Sequence, residues 1–124
     1  MQPGLTKTFI AAAAITKRRI VKFDAVDGQV LTAAAANDSL LGVSDMSADV
    51  TSGSRVEVRL NGVAEVEAGG TIARGAPVTS DATGRAVAAA PAAGVNNRII
   101  GIAMASYVVG DVADVFLSQG SLQG

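Results

Sequence analysis

Between Arg55 and Ala68 apolar and polar residues alternate almost without a break. Val56, Val58, Leu60, Gly62, Ala64, Val66 and Ala68 take the even positions; Glu57, Arg59, Asn61, Glu65 and Glu67 take the odd ones, with Val63 the exception. A period of two marks a strand with one buried face. Asn61-Gly62 is also a two-residue hairpin signal. A hairpin there, however, would put Leu60 and Val63 on one side and turn Glu65 and Glu67 inward. The pattern therefore predicts one continuous strand of roughly 40 Å at ~3.3 Å per residue, bent at Gly62.

The chain then repeats itself. Leu40-Leu41-Gly42-Val43 leads through a polar turn to Gly53 and a strand, as Ile99-Ile100-Gly101-Ile102 leads to Gly110 and a strand. Ile15, Lys17, Val21, Asp24 and Ala25 recur 57 positions later as Ile72, Arg74, Val78, Asp81 and Ala82. One residue is missing from the second turn (Asp24–Gly28 against Asp81–Gly84), and a small insertion precedes Gly101. The 57-residue offset then returns at Gly53 and Gly110, Val58 and Val115, Leu60 and Leu117. Indels confined to polar turns, with the offset recovering beyond them, mark an internal duplication. The units span 15–60 and 72–117, each reading strand, Asp/Gly-type turn, strand, Ala-rich link, short strand, polar turn, long strand.

Two such units predict an all-β domain over 15–124, with Gly42 and Gly101 in equivalent places. Val56, Val58, Leu60, Val115 and Leu117 are expected to share one core about a pseudo-twofold, with Glu57 and Arg59 facing out. The alanine runs at 11–14, 33–36 and 88–93 are too short for stable helices. A single helical turn is expected after Ser44-Asp45, which offers an N-cap. Residues 1–14 have no counterpart in the second unit and read as an extended N-terminal arm whose Phe9 and Ile10 need a surface to bury them.

Composition narrows the function. A chain of 124 residues is one domain's worth. It is 49% hydrophobic but 3% aromatic, so its core is built of Ala, Val, Ile and Leu. Charged residues make up 17%, below the roughly 25% of typical soluble domains, as expected of a surface that is partly covered by partners. A net charge of −1 gives no electrostatic case for nucleic acid. Lys17-Arg18-Arg19 with Lys22 is the one basic cluster and has no interleaved aromatic for base stacking. It reads as a charged strand edge or as a contact for an acidic protein surface.

With no Cys and no His, disulfides, thiolate chemistry, nearly all zinc and copper sites and the commonest general base are absent. Asp24, Asp27, Asp38 and Asp81 lack the ligand spacing of a calcium loop. Asp45, Asp49, Glu65 and Glu67 read as solvent-facing carboxylates, and no serine has an activating base. No enzyme, metal or cofactor is expected. Phe9–Ile15 is not a signal peptide, because Lys17-Arg18-Arg19 stands where a small-residue cleavage site belongs. No stretch reaches the ~20 apolar residues of a membrane span. One alternative from another class is a carbohydrate-binding or adhesin-type β-module, which needs aromatic platforms; the chain has one Tyr, three Phe and no Trp.

Leu40-Leu41-Gly42-Val43, a polar turn, Gly53 and then Val-Glu-Val-Arg-Leu-Asn-Gly-Val, with Ile100-Gly-Ile-Ala-Met near the end, resemble the capsid cement (head decoration) proteins of tailed bacteriophages. The similarity covers roughly Thr6 to Leu117, and Lys17-Arg18-Arg19 departs from it where such proteins often carry a Gly-containing turn. The resemblance implies a small β-barrel of the β-tulip kind. It implies a structural virion protein, made in the bacterial host cytoplasm, that sits as a homotrimer on the outer capsid surface. Its partners would be the major capsid protein and other copies of itself, with no nucleic acid and no membrane. The arm and its root, Leu5, Thr6, Phe9, Ile10, Lys17, Arg18 and Arg19, are the expected partner contacts.

Overall fold

A computed structural model describes residues 5–44 and 49–123, which form ten strands and no helix. The first five, β1 (Thr6–Ala11), β2 (Ile20–Phe23), β3 (Gln29–Thr32), β4 (Leu40–Ser44) and β5 (Arg55–Arg59), close into a barrel in the order β1-β3-β2-β4-β5. The rest, β6 (Gly62–Glu67), β7 (Pro77–Ser80), β8 (Ala86–Ala88), β9 (Asn96–Ala103) and β10 (Val112–Gln123), form a sheet in the order β6-β10-β9-β7-β8. Taken around the barrel from β1 through β5, the two orders coincide strand for strand.

The same registers recur in the two halves. Val21 faces Gly42 and Ile20 faces Val43; Val78 faces Gly101 and Pro77 faces Ile102. Ile15 bridges Val50, and Ile72 bridges Tyr107. Gly42 and Gly101 are equivalent for a steric reason. A Cβ on Gly42 would collide with the Arg59 carbonyl oxygen and Val58, and one on Gly101 with the Phe116 carbonyl oxygen and Val115.

The duplicated unit is longer than its matching residues suggest, and the N-terminal arm is part of it. Thr6–Ala11 is barrel strand β1, antiparallel to β5 from Thr6↔Arg59 to Ile10↔Arg55 and parallel to β3 at Ile10↔Gln29 and Ala11↔Val30. Its counterpart is β6: Phe9, Ala11 and Ile15 stand where Val66, Ala68 and Ile72 stand in the second unit, and all six are buried. Phe9 finds its burial inside its own barrel.

The alternation from Arg55 to Ala68 is also not one strand. β5 and β6 lie in different sheets, and the chain passes between them at Leu60-Asn61, with Gly62 at φ 81°. No hairpin forms, and the inside–outside phase holds: Val56, Val58, Ala64, Val66 and Ala68 are buried, while Glu57 and Glu65 are exposed. The helical turn expected after Ser44-Asp45 falls outside the described residues.

The shared core is in fact two cores. Phe9, Ala11, Ile15, Val21, Val30, Leu41, Val56 and Val58 fill the first barrel, with Leu60 against them. Their equivalents Val66, Ala68, Ile72, Val78, Ala86, Ile100, Ala113 and Val115, with Leu117, fill the second unit. The second core takes four more residues from the outside of the first barrel: Ile20, Ala33, Leu40 and Val43. Burying an Ile or Val completely contributes roughly 1.5–3 kcal/mol, so this outer face is a principal weld between the units.

Candidate functional site

Each unit carries an outward row of residues across its sheet, and the registers are the same. In the first unit the row is Thr6, Arg59, Val43 and Ile20, each paired with the next, with Ala33 bonded on to Ile20. In the second it is Val63, Phe116, Ile102 and Pro77, with Ala89 bonded on to Pro77. The first row's centre is sealed: Ile20, Ala33 and Val43 are all 0% exposed. The second row's centre is open, with Phe116 47% and Ile102 41% exposed. Met104, bonded through its N–H to the Asp114 carbonyl, extends this apolar surface past the end of β9, and Val112 is exposed beyond Asp114 on β10. Of the eleven exposed large hydrophobic residues among those described, eight lie in the second unit. The surface that sets this molecule apart from an ordinary soluble domain is on that half.

The sequence pattern missed these residues but held two traces of them. Val63 is the apolar intruder on the polar side of the Arg55–Ala68 alternation. Phe116 makes Val115-Phe116-Leu117 three apolar residues in succession, which a strand with one wet face does not need.

The residues expected to contact partners are scattered instead. Leu5 is exposed, its N–H donating to Asn61 Oδ1. Thr6 and Ile10 are half-buried in β1, and Phe9 is in the barrel core. Lys17 donates its N–H to Asp49 Oδ1 at 3.0 Å. Arg18 and Arg19 meet acidic groups of their own chain: Arg18 Nε lies 3.5 Å from Glu65 Oε1, and Arg19 Nη2 lies 3.1 Å from Glu67 Oε1. Arg19 Nη1 also donates to the Thr83 carbonyl at 2.9 Å.

The local structure explains why this basic turn serves the unit interface. The buried Ser44 hydroxyl accepts from the Arg19 N–H and lies 2.9 Å from the Thr16 carbonyl, holding the turn against β4. The Glu67 N–H donates to the Arg18 carbonyl, and the Ile20 N–H donates to the Gly84 carbonyl. In the first barrel the corresponding Ile10 N–H donates to the Gly28 carbonyl, which is part of the direct closure of β1 on β3. In the second unit β6 and β8 meet only at Ala68↔Ala86, and the Arg18–Ile20 segment fills the gap between them.

Of the carboxylates singled out from the sequence, Asp38 and Asp81 serve their own turns, and Asp45 falls outside the described residues. Asp38 Oδ2 accepts from the Ala34 and Ala35 N–H groups and pairs with Lys22 at 3.4 Å. Asp81 Oδ1 accepts from the N–H groups of Thr83 and Arg85 and from the Thr83 hydroxyl. Burial pushes the Asp81 carboxyl up, but these bonds and the Arg85 guanidinium outweigh it and hold the group below the usual carboxylate range. Among the described residues no three acidic groups gather around a common point that could hold a metal ion.

A half-open cleft of about 470 Å³ lies between Leu40, Arg98, Ile99, Gln119 and Ser121. Its Gln119 amide is already committed to the Leu41 carbonyl, and it presents no acid–base pair or nucleophile. The apolar face is the feature left with a use to explain.

No curated protein matches the chain. Among solved structures, the head fiber gp8.5 N base of bacteriophage phi29 is similar in fold, with a TM-score of 0.69, 20% identity, and coverage of 97% of this chain and 98% of that one. The family model for phage cement proteins matches residues 1–117. A duplicated β-fold with few charged residues and an exposed apolar row is suited to a structural, capsid-associated protein of a virion, and the chain belongs to the phage cement protein family.

Proposed function

We propose that the protein decorates and stabilises a phage capsid by binding the outer surface of the major capsid protein shell as an oligomer, a homotrimer. The observation that carries this reading is the open apolar row of the second unit in a protein of the cement family. A half-exposed Phe beside a half-exposed Ile on the outside of a sheet is the surface expected of a protein whose work is to bury area against others. Cementing needs no catalytic group. Each copy adds contacts that the bare shell lacks, at about 25 cal/mol per Å² of apolar area less the cost of association, and the sum grows with the number of copies.

In this reading the protein is made in the host cytoplasm and works on the virion exterior. Leu5, Thr6, Ile10 and Lys17 remain contacts for the shell, while Phe9, Arg18 and Arg19 serve the fold of their own chain. The test is co-sedimentation of purified protein with capsids that lack it, followed by heating of the decorated particles. Saturable binding and a higher shell-disruption temperature are expected. A protein that stays in the supernatant at every salt concentration overturns the proposal.

A further inference from the structure

We propose that the outer face of the second unit, Val63, Phe116, Ile102 and Pro77 with Met104 beside them, is the surface on which a second copy of this chain docks. The inference rests on the reading above that the protein works as an oligomer, and it assigns the face that makes the contact.

The molecule itself shows what this face is for. The two units have one strand order and one register, so position for position the row Val63, Phe116, Ile102, Pro77 corresponds to Thr6, Arg59, Val43, Ile20. In the first unit the Ile20–Val43 end of the row is buried against another unit of the same fold, where it completes that unit's core, while Thr6 and Arg59 are half-buried. In the second unit none of the described residues covers it, yet the positions have not become polar. Two have become more apolar, with Val63 in place of Thr6 and Phe116 in place of Arg59.

A row that only met water would carry polar residues, as the neighbouring rows do on the same outer faces, Thr8 with Glu57 and Glu65 with Asp114. The row itself carries no charge, so two copies can approach without burying an unpaired ion. Its acidic neighbours, Glu65 and Asp114, face each other across β6 and β10 one register step from Val63 and Phe116, and both are exposed, so they bound the row on that side where charges remain hydrated. The occupant that matches a face already used for unit-on-unit packing is another unit of this fold, and the source of one is a second copy of the chain.

The experiment is light scattering on the full-length chain after size exclusion, for the parent, Phe116→Glu, Ile102→Lys and, as a control, Phe23→Glu. Phe23 is 53% exposed on the first unit, so it matches Phe116 in type and exposure but lies outside the proposed face. The parent and Phe23→Glu are expected to run as oligomers. Phe116→Glu and Ile102→Lys are expected to run as single chains that melt like the parent, with self-association weakened at least ~30-fold, the size of an interface hot spot. A parent that is a single chain at tens of micromolar overturns the proposal, as does a Phe116→Glu protein that keeps the parental mass.

The same proteins are then sedimented with capsids. Oligomers that never bind capsids leave the docking face standing and remove the decoration reading. A monomeric parent that binds capsids does the reverse.

Discussion

The first and second units share strand order, register, turn positions and core layout, yet one is closed and covered while the other is gapped and exposed. The first barrel closes on itself through parallel pairing of β1 with β3. The second meets itself at one bridge and borrows the Arg18–Ile20 segment of its neighbour to fill the gap. Duplication supplies two equivalent outer faces, but packing one unit on the other can use only one of them. The inner unit becomes scaffold, and the outer unit is left holding the apolar surface on which association can act.

A second difference lies at one backbone position. Arg18 has φ 56°, the one non-glycine residue in the left-handed region among those described, and its equivalent in the second unit is Gly75 at φ 83°. An L side chain there costs roughly 1–2 kcal/mol. The first unit tolerates that cost where Arg18 reaches Glu65 of the other unit and its carbonyl accepts from Glu67. The interface therefore explains why this turn departs from glycine in one copy only.

The comparison breaks most severely if the N-terminal strand is removed. Deleting residues 1–14 takes away β1, which pairs with both β5 and β3 and supplies Phe9 and Ala11 to the core. The truncated chain is expected to lose the folded first barrel, and with it the lid of Ile20 and Val43 on the second core. Circular dichroism should show no cooperative melt of parental size. A truncated protein that melts like the parent would make β1 an appendage after all.

Next in size are Val58→Asp and Val115→Asp, equivalent residues that are both 0% exposed, one in each core. Each places an unpaired charge in an apolar interior, and a loss of at least about 3 kcal/mol is expected for both. Because four residues of the first unit sit in the second core, both variants should melt in a single transition. Two separate transitions would show that the weld between the units is weaker than its burial implies.

Gly42→Ala and Gly101→Ala should cost less, about 1–3 kcal/mol each, since the added methyl meets a carbonyl oxygen of the neighbouring strand. The two values should agree within the scatter of urea denaturation. Unequal costs would mean that one unit yields where the other does not.

These expectations show what could be read from the residues alone. The repeat was legible because turns and close-approach glycines demand particular residue types, so Gly42 and Gly101, or Gly53 and Gly110, survive as identities. β1 was not legible as part of it. Phe9, Ala11 and Ile15 match Val66, Ala68 and Ile72 mainly in being apolar at the same spacing, and a barrel core accepts any side chain of suitable volume. The boundary between β5 and β6 was hidden because Leu60-Asn61 keeps the alternation in phase while the chain changes sheets. The exposed face was the hardest to read. Only the three-dimensional register shows that Phe116 and Val43 belong to equivalent surfaces, one wet and one dry.

The smallest effect separates the equivalent turns at Asp24 and Asp81. Asp81 accepts three hydrogen bonds at Oδ1 and pairs through Oδ2 with Arg85 Nε at 3.3 Å, whereas among the described residues the Asp24 side chain makes no such bonds. Its pKa in the folded protein is depressed despite the opposing effect of burial. The folded state therefore binds the Asp81 proton less readily than the unfolded chain does. The resulting stability is complete above the unfolded value near 4 and is lost as pH falls through the lower folded value. Asp81→Asn keeps the acceptor oxygen but loses the charge, and the group is partly hydrated, so a cost of roughly 0.5–1 kcal/mol at pH 7 is expected. Asp24→Asn should stay within about 0.5 kcal/mol of the parent, as a surface change does. Differential scanning calorimetry at pH 7 and pH 3 distinguishes the terms. The gap between parent and Asp81→Asn should narrow as the pH falls from 7 to 3, below the unfolded value, because the unfolded chain takes up a proton that the folded state resists. A gap that is the same at both pH values would assign the turn's stability to hydrogen-bond geometry alone, and the charge would then distinguish nothing between the two units.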